Sequence, residues 1–129
     1  MDLTKTTALV TGSNRGMGRQ IVKCLIAAGV PKIYATARDP AKIADLVDGT
    51  RVESFALDVT VPDQVAAAAA RCTDIGLLIN NAGVNRNRPM IGEPEALANA
   101  RAEMEVNYFG MLSMCRAFAP VLAANGGGM

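Results

Sequence analysis

Short runs of consecutive apolar residues alternate along this chain with stretches whose apolar positions recur every three or four residues. The runs at 6–10, 32–37, 51–57 and 77–80 are four to seven residues long and rich in aliphatic and β-branched side chains, which predicts buried strands. Between the first two, Met17, Ile21, Leu25 and Ala28 keep helical spacing and Gly29 supplies a stop. Residues 40–47 predict a short helix opened near Asp39-Pro40. Residues 63–71 predict an Ala-rich helix, with Thr60 and Asp63 spaced like a capping box. After a polar loop at 85–94, a long helix is predicted over 97–124, with Met104, Tyr108, Leu112, Cys115, Ala119 and Leu122 on one face. Strand and helix alternate with no internal break. The expected architecture is a single α/β domain over 1–129, a doubly wound, Rossmann-type parallel sheet (βαβαβαβα) with helices on both faces and strand order 3-2-1-4.

One junction carries chemistry. The first strand runs into Thr11-Gly12-Ser13-Asn14-Arg15-Gly16-Met17-Gly18 and then opens a helix. A helix N-terminus presents unpaired N–H groups and the positive end of the macrodipole, and glycines let the backbone approach a pyrophosphate. The spacing, Thr-Gly-x-x-x-Gly-x-Gly, departs from GxGxxG. No Gly-Lys-Ser/Thr follows, so it is not a P-loop.

Composition narrows the alternatives. The 129 residues suffice for one core, and 50% hydrophobic with 19% charged residues reads as globular. A net charge of +1 offers no field for nucleic acid or an anionic membrane, and no apolar run is long and uninterrupted enough to cross one. With no His, the commonest general base and metal ligand is absent, and no metal site is expected. Cys24, Cys72 and Cys115 are far apart and odd in number, which predicts small buried hydrophobes in a reducing, cytoplasmic compartment. Residues 1–5 lack the apolar run of a signal peptide.

The glycine turn resembles the cofactor motif of the short-chain dehydrogenases/reductases. Asn80-Asn81-Ala82-Gly83 after the fourth strand is similar to that family's second signature, Leu57-Asp58-Val59 to its adenine-contacting segment, and Asn107 to its helix asparagine. The resemblance covers essentially the whole chain and implies a dinucleotide cofactor, a small alcohol or carbonyl substrate, and a homo-oligomeric full-length form. By the same resemblance Gly12, Ser13, Asn14, Arg15, Gly16, Met17 and Gly18 wrap the pyrophosphate. Asp58 and Val59 meet the adenine, and Asn81, Ala82 and Gly83 line the cleft at the topological switch between strands one and four. Asn81 would also tie strands together. Asn107 would hold a water in a proton relay, a supporting role rather than a reactive one.

Charge bears on which dinucleotide binds. An NAD site places a carboxylate at the end of strand two, where it would repel a 2′-phosphate. Here that place falls to Ala37, followed by Arg38, and Arg15 lies in the glycine turn. Two guanidinium groups could clamp a 2′-phosphate, so NADP(H) is expected over NAD(H). Asp39 is expected to start the following helix.

The family's catalytic Ser and Tyr-x-x-x-Lys have no counterpart here. Tyr34 and Tyr108 are the two tyrosines, and neither has a Lys four residues later. The expectation is therefore the NADP(H)-binding half of an oxidoreductase, truncated before strand five and inactive alone, with a non-catalytic NADP(H)-binding regulatory module as the alternative. A bare edge on strand four and a helix face with Met111, Met114 and Phe118 exposed are expected to leave this length marginally stable.

Overall fold

The computed structural model describes residues 2–89 and 91–129; Met90, within the predicted 85–94 loop, and Met1 lie outside the described residues. The elements are β1 (Thr7–Val10), α1 (Gly16–Ala27), β2 (Lys32–Ala37), a 3-10 helix (Pro40–Leu46), β3 (Val52–Ala56), α2 (Pro62–Arg71), β4 (Ile75–Ile79), α3 (Ala96–Met104), a π-helical segment (Glu105–Gly110) and α4 (Met111–Ala124). The sheet is parallel, with order β3-β2-β1-β4.

Alternation along the strands divides the core into two layers. Ala8, Val10, Ile33, Ala35 and Ala37 face one way and pack with Val22 and Leu25 of α1 and Ile43 of the 3-10 helix. Leu9, Tyr34 and Ile75 face the other way, onto Val65 and Ala68 of α2 and Met114 and Phe118 of α4. With both faces covered, the strands of a parallel sheet are apolar throughout, which is why they read as continuous runs.

The predicted helix faces hold only in part: Leu25 is buried, and Ile21 and Leu122 pack partly buried against the core, while other predicted positions do not. On α1 the buried positions are Gly18, Val22 and Leu25, and Met17 is 74% exposed. The first turn of α1 borders a cleft at the carboxyl end of the sheet, so Met17 meets open space rather than core. On α4 the buried face is Met114 and Phe118, both fully buried, with Gly110 one turn earlier. Met104, Tyr108, Met111, Leu112 and Cys115 are exposed instead, with Ala119 beyond them. The π segment at 105–110 interrupts the 3.6-residue repeat, so a straight helical reading does not carry through 97–124, and α3 before it buries no residue.

Three smaller expectations also change. Of the cysteines, only Cys72 is buried; Cys24 and Cys115 are exposed, and Cys115 Sγ accepts from Asn80 Nδ2 at 3.4 Å. Burial pushes the Cys72 thiol up to about 12. Thr60 does not cap α2: the cap residue is Val61, and the Thr60 hydroxyl donates to Asp58 Oδ1 at 2.7 Å. The outer edge of β4 is not bare along its length. Met129 N–H donates to the Gly76 carbonyl at 3.1 Å, and Leu78 N–H donates to the Met129 carbonyl at 2.7 Å. The last residue thus takes a place beside β4 in the pattern of a parallel rung.

Candidate cofactor site

The carboxyl ends of β1, β2 and β4 converge where the strand order reverses, and a cleft of about 620 Å³ opens there. Its wall includes Gly12, Asn14, Arg15, Gly16, Met17 and Gly18 from the turn after β1, Ala37, Arg38, Asp39 and Lys42 beyond β2, and Leu57, Asp58 and Val59 beyond β3. Asn81, Ala82, Gly83 and Val84 close it from the β4 side, with Val106 from the π segment.

The turn works through its backbone. Gly12 and Gly16 have φ of +69° and +54°, in the left-handed region that side chains disfavour. A Cβ on Gly18 would collide with the Gly12 carbonyl and the Asn81 amide, so only glycine lets α1 start this close to β1. The cap residue of α1 is Arg15, whose backbone is extended and whose side chain makes no capping bond. The first N–H groups of α1 are therefore left for a ligand, and they face the cleft.

Ser13 stands apart from the other turn residues. It is fully buried, its hydroxyl donates to the Val10 carbonyl at 2.9 Å, and its N–H donates to the Thr36 carbonyl at 2.9 Å. Its side chain shapes the turn and does not reach the cleft.

Thr11, to which the sequence reading assigned no role, organises the β4 side. Its hydroxyl is buried, donates to the Ile79 carbonyl at 3.4 Å, and accepts from the N–H groups of Asn81 (3.0 Å) and Ala82 (2.9 Å). Asn81 reciprocates, its side-chain amide donating to the carbonyls of Thr11 (3.0 Å) and Gly12 (3.2 Å). The two signatures thus hold each other across the switch point, and Asn81 ties strands as well as lining the cleft. The signal for Thr11 was its place, a lone hydroxyl at the buried end of an apolar strand.

Asp58 uses Oδ1 to accept from the Thr60 N–H and hydroxyl, at 2.9 and 2.7 Å, while its own N–H donates to Gln64 Oε1 at 2.7 Å. The carboxylate is held in one orientation at the cleft wall, with Oδ2 able to accept from a ligand. Asn107 is exposed, in the π segment. Its amide bonds Val84 twice: Oδ1 accepts from the Val84 N–H and Nδ2 donates to the Val84 carbonyl, both at 2.8 Å. That side chain clamps the segment after β4 against the helix through one amide N–H and one carbonyl lone pair, and a second N–H and lone pair are left over.

Near the end of β2, Ala37 is buried and no carboxylate occupies its place; Arg38 follows, exposed, across from Arg15. Asp39 caps the 3-10 helix, Oδ1 accepting from the Ala41 N–H at 3.2 Å, as its helix-starting position predicts. Lys42 shares this corner and was missed. In the 3-10 helix it lies one turn on from Asp39 and pairs with it. Among the described residues, no cluster of His, Cys, Asp and Glu could hold a metal ion, and no helix is long and apolar enough to cross a membrane.

A parallel sheet in this order, with a glycine turn and an uncapped helix start at its switch point, defines a Rossmann-type α/β protein. Residues 6–129 match the family of short chain dehydrogenases, and the chain belongs to that family of oxidoreductases. A short-chain dehydrogenase/reductase of Pestalotiopsis microspora is 33% identical over 124 residues, which are 95% of this chain and 45% of that protein. A short-chain dehydrogenase from Burkholderia cenocepacia J2315, solved in complex with NADP, superposes with a TM-score of 0.88 at 47% identity, covering 98% of this chain and 52% of that one. An NADPH-bound carbonyl reductase from chicken fatty liver superposes with a TM-score of 0.80 at 32% identity, covering 90% and 48%. The chain spans about half the length of these relatives.

Proposed function

We propose that the cleft binds NADP(H) and that residues 1–129 are the cofactor-binding half of an oxidoreductase that moves hydride between NADP(H) and an alcohol/carbonyl pair. The observation that carries this reading is the uncapped start of α1, opening behind Gly12, Gly16 and Gly18 into the same cleft as Arg15, Arg38, Asp58 and Asn81. The amides of Gly16, Met17 and Gly18, with Asn14 beside them, would hold the pyrophosphate. Asp58 Oδ2 would accept from the adenine amino group beside Val59. Arg15 and Arg38 would hold the 2′-phosphate, with no carboxylate at Ala37 to oppose it. Asn81, Ala82 and Gly83 would line the nicotinamide end. NADP-bound relatives at 47% and 32% identity support the choice of dinucleotide.

When bound, NADPH supplies the hydride; these residues bind and orient it. Protonating a carbonyl oxygen needs an acid at the reacting end of the cleft. Tyr34 is buried with its hydroxyl on Asp74 Oδ1 at 3.0 Å, and burial raises its pKa. Tyr108 is exposed, with Leu112 rather than Lys four residues on. Residues 1–129 alone would therefore bind cofactor without turnover. The exposed strip of Met104, Tyr108, Met111 and Leu112 suits a second copy of the full-length protein.

Calorimetric titration with NADP+ and NAD+ tests the reading. NADP+ should bind at least roughly tenfold tighter, and Arg38→Ala should remove most of that margin. Equal affinities would overturn the preference, and no binding of either would overturn the cofactor assignment. Native-length protein that binds NADPH but oxidises it with no carbonyl would favour a regulatory module.

A further inference from the structure

We propose that Lys42 is a third, movable cation of the 2′-phosphate subsite and that Asp39 is the counter-charge that holds it when the subsite is empty. This role rests on the NADP(H) reading and extends it to a pair of residues outside the glycine turn and the strand-two arginine.

The backbone of Lys42 is fixed from several sides. Its N–H donates to the Asp39 carbonyl at 3.4 Å, and its carbonyl accepts from Arg19 Nη1 at 3.2 Å. Arg19 is itself ion-paired with Asp45, which lowers the Asp45 pKa. The next residue, Ile43, is fully buried in the core. A fixed backbone at the cleft wall then carries a flexible side chain that is 64% exposed.

The ammonium lies 3.4 Å from Asp39 Oδ2, while Asp39 Oδ1 is occupied by the Ala41 N–H. Both residues line the cleft with Arg15 and Arg38. In this pair Asp39 competes with any phosphate for the Lys42 ammonium. A lysine is a compact charge on a long stem, so it can leave a carboxylate for a phosphate without any backbone movement. The arginine forks supply geometry, and Lys42 supplies charge. Because the corner is open to solvent, the expected effects are modest and salt-dependent.

The test measures equilibrium binding of 2′,5′-ADP and 5′-AMP to the native-length protein, which separates the 2′-phosphate from the rest of the ligand. Lys42→Met should weaken 2′,5′-ADP about five- to tenfold and leave 5′-AMP within about twofold, and Lys42→Arg should restore most of the loss. Asp39→Asn keeps an N-cap residue, so the helix start survives. It should tighten 2′,5′-ADP about two- to fivefold, a gain that disappears when Lys42→Met is also present. Equal weakening of both ligands by Lys42→Met, or none of either, would overturn the role of Lys42 while wild-type preference for 2′,5′-ADP left the NADP(H) reading standing. Wild-type protein that does not distinguish the two ligands would overturn both.

Discussion

Asn107 ties two parts of the fold together through one side chain. Its two bonds to Val84 join the π segment to the stretch after β4 that carries Asn81, Ala82 and Gly83 to the cleft. Asn107→Ala should destabilise the protein by about 0.5–1.5 kcal/mol, since two solvent-accessible backbone groups exchange the amide for water. It should also weaken NADP+ binding, because the β4 side of the cleft loses its tether; urea unfolding and cofactor titration read the two effects separately. Unchanged stability would mean that water replaces the amide freely. The helix asparagine was legible from the sequence, and its double bond to Val84 was not. That partner lies 23 residues earlier in chain order and meets Asn107 only because the helix crosses the end of the strand. Thr11 was passed over for the same reason: its partners Asn81 and Ala82 are 70 and 71 residues away.

At the scale of elements, the strands were the most legible features, because a sheet covered on both faces imposes unbroken apolar runs. The last helix was the least legible in facing. The π segment changes its phase, and the pattern contains several Met and Ala residues that fit either stripe. The observed facing predicts that Phe118→Ala costs about 3–5 kcal/mol, while Leu112→Ala changes stability by less than about 0.5 kcal/mol. Comparable losses at both positions in chemical denaturation would restore the original stripe.

The turn into β3 carries a pH-dependent device of its own. Asp48 accepts from the N–H groups of Thr50, Arg51 and Val52 at 3.0, 2.7 and 2.9 Å, which holds its pKa down at about 2. A carboxylate depressed on folding stabilises the protein fully above its ordinary pKa of 3.8 and loses that contribution as pH falls from there through about 2. Asp48→Ala should therefore be less stable than wild type at pH 7, with the gap closing below about pH 2. A gap that stayed constant with pH would show that the carboxylate charge plays no part.

At the scale of the whole molecule, three strand ends, one uncapped helix and a cationic corner turn toward one cleft. Its architecture and strand order were legible in the βα alternation, because connection rules leave few ways to wind a parallel sheet. The cleft came with the topology. Lys42 did not, since its place depends on a 3-10 turn whose three-residue spacing hydrophobic periodicity does not distinguish from a short α-helix. The most direct measurement is an amide NMR titration of the chain with NADP+. The signals of Gly12 to Gly18, of Asp58 and Val59, and of Asn81 to Gly83 should shift together with one dissociation constant. Shifts confined to other surfaces, or none at saturating cofactor, would contradict cofactor binding in the cleft.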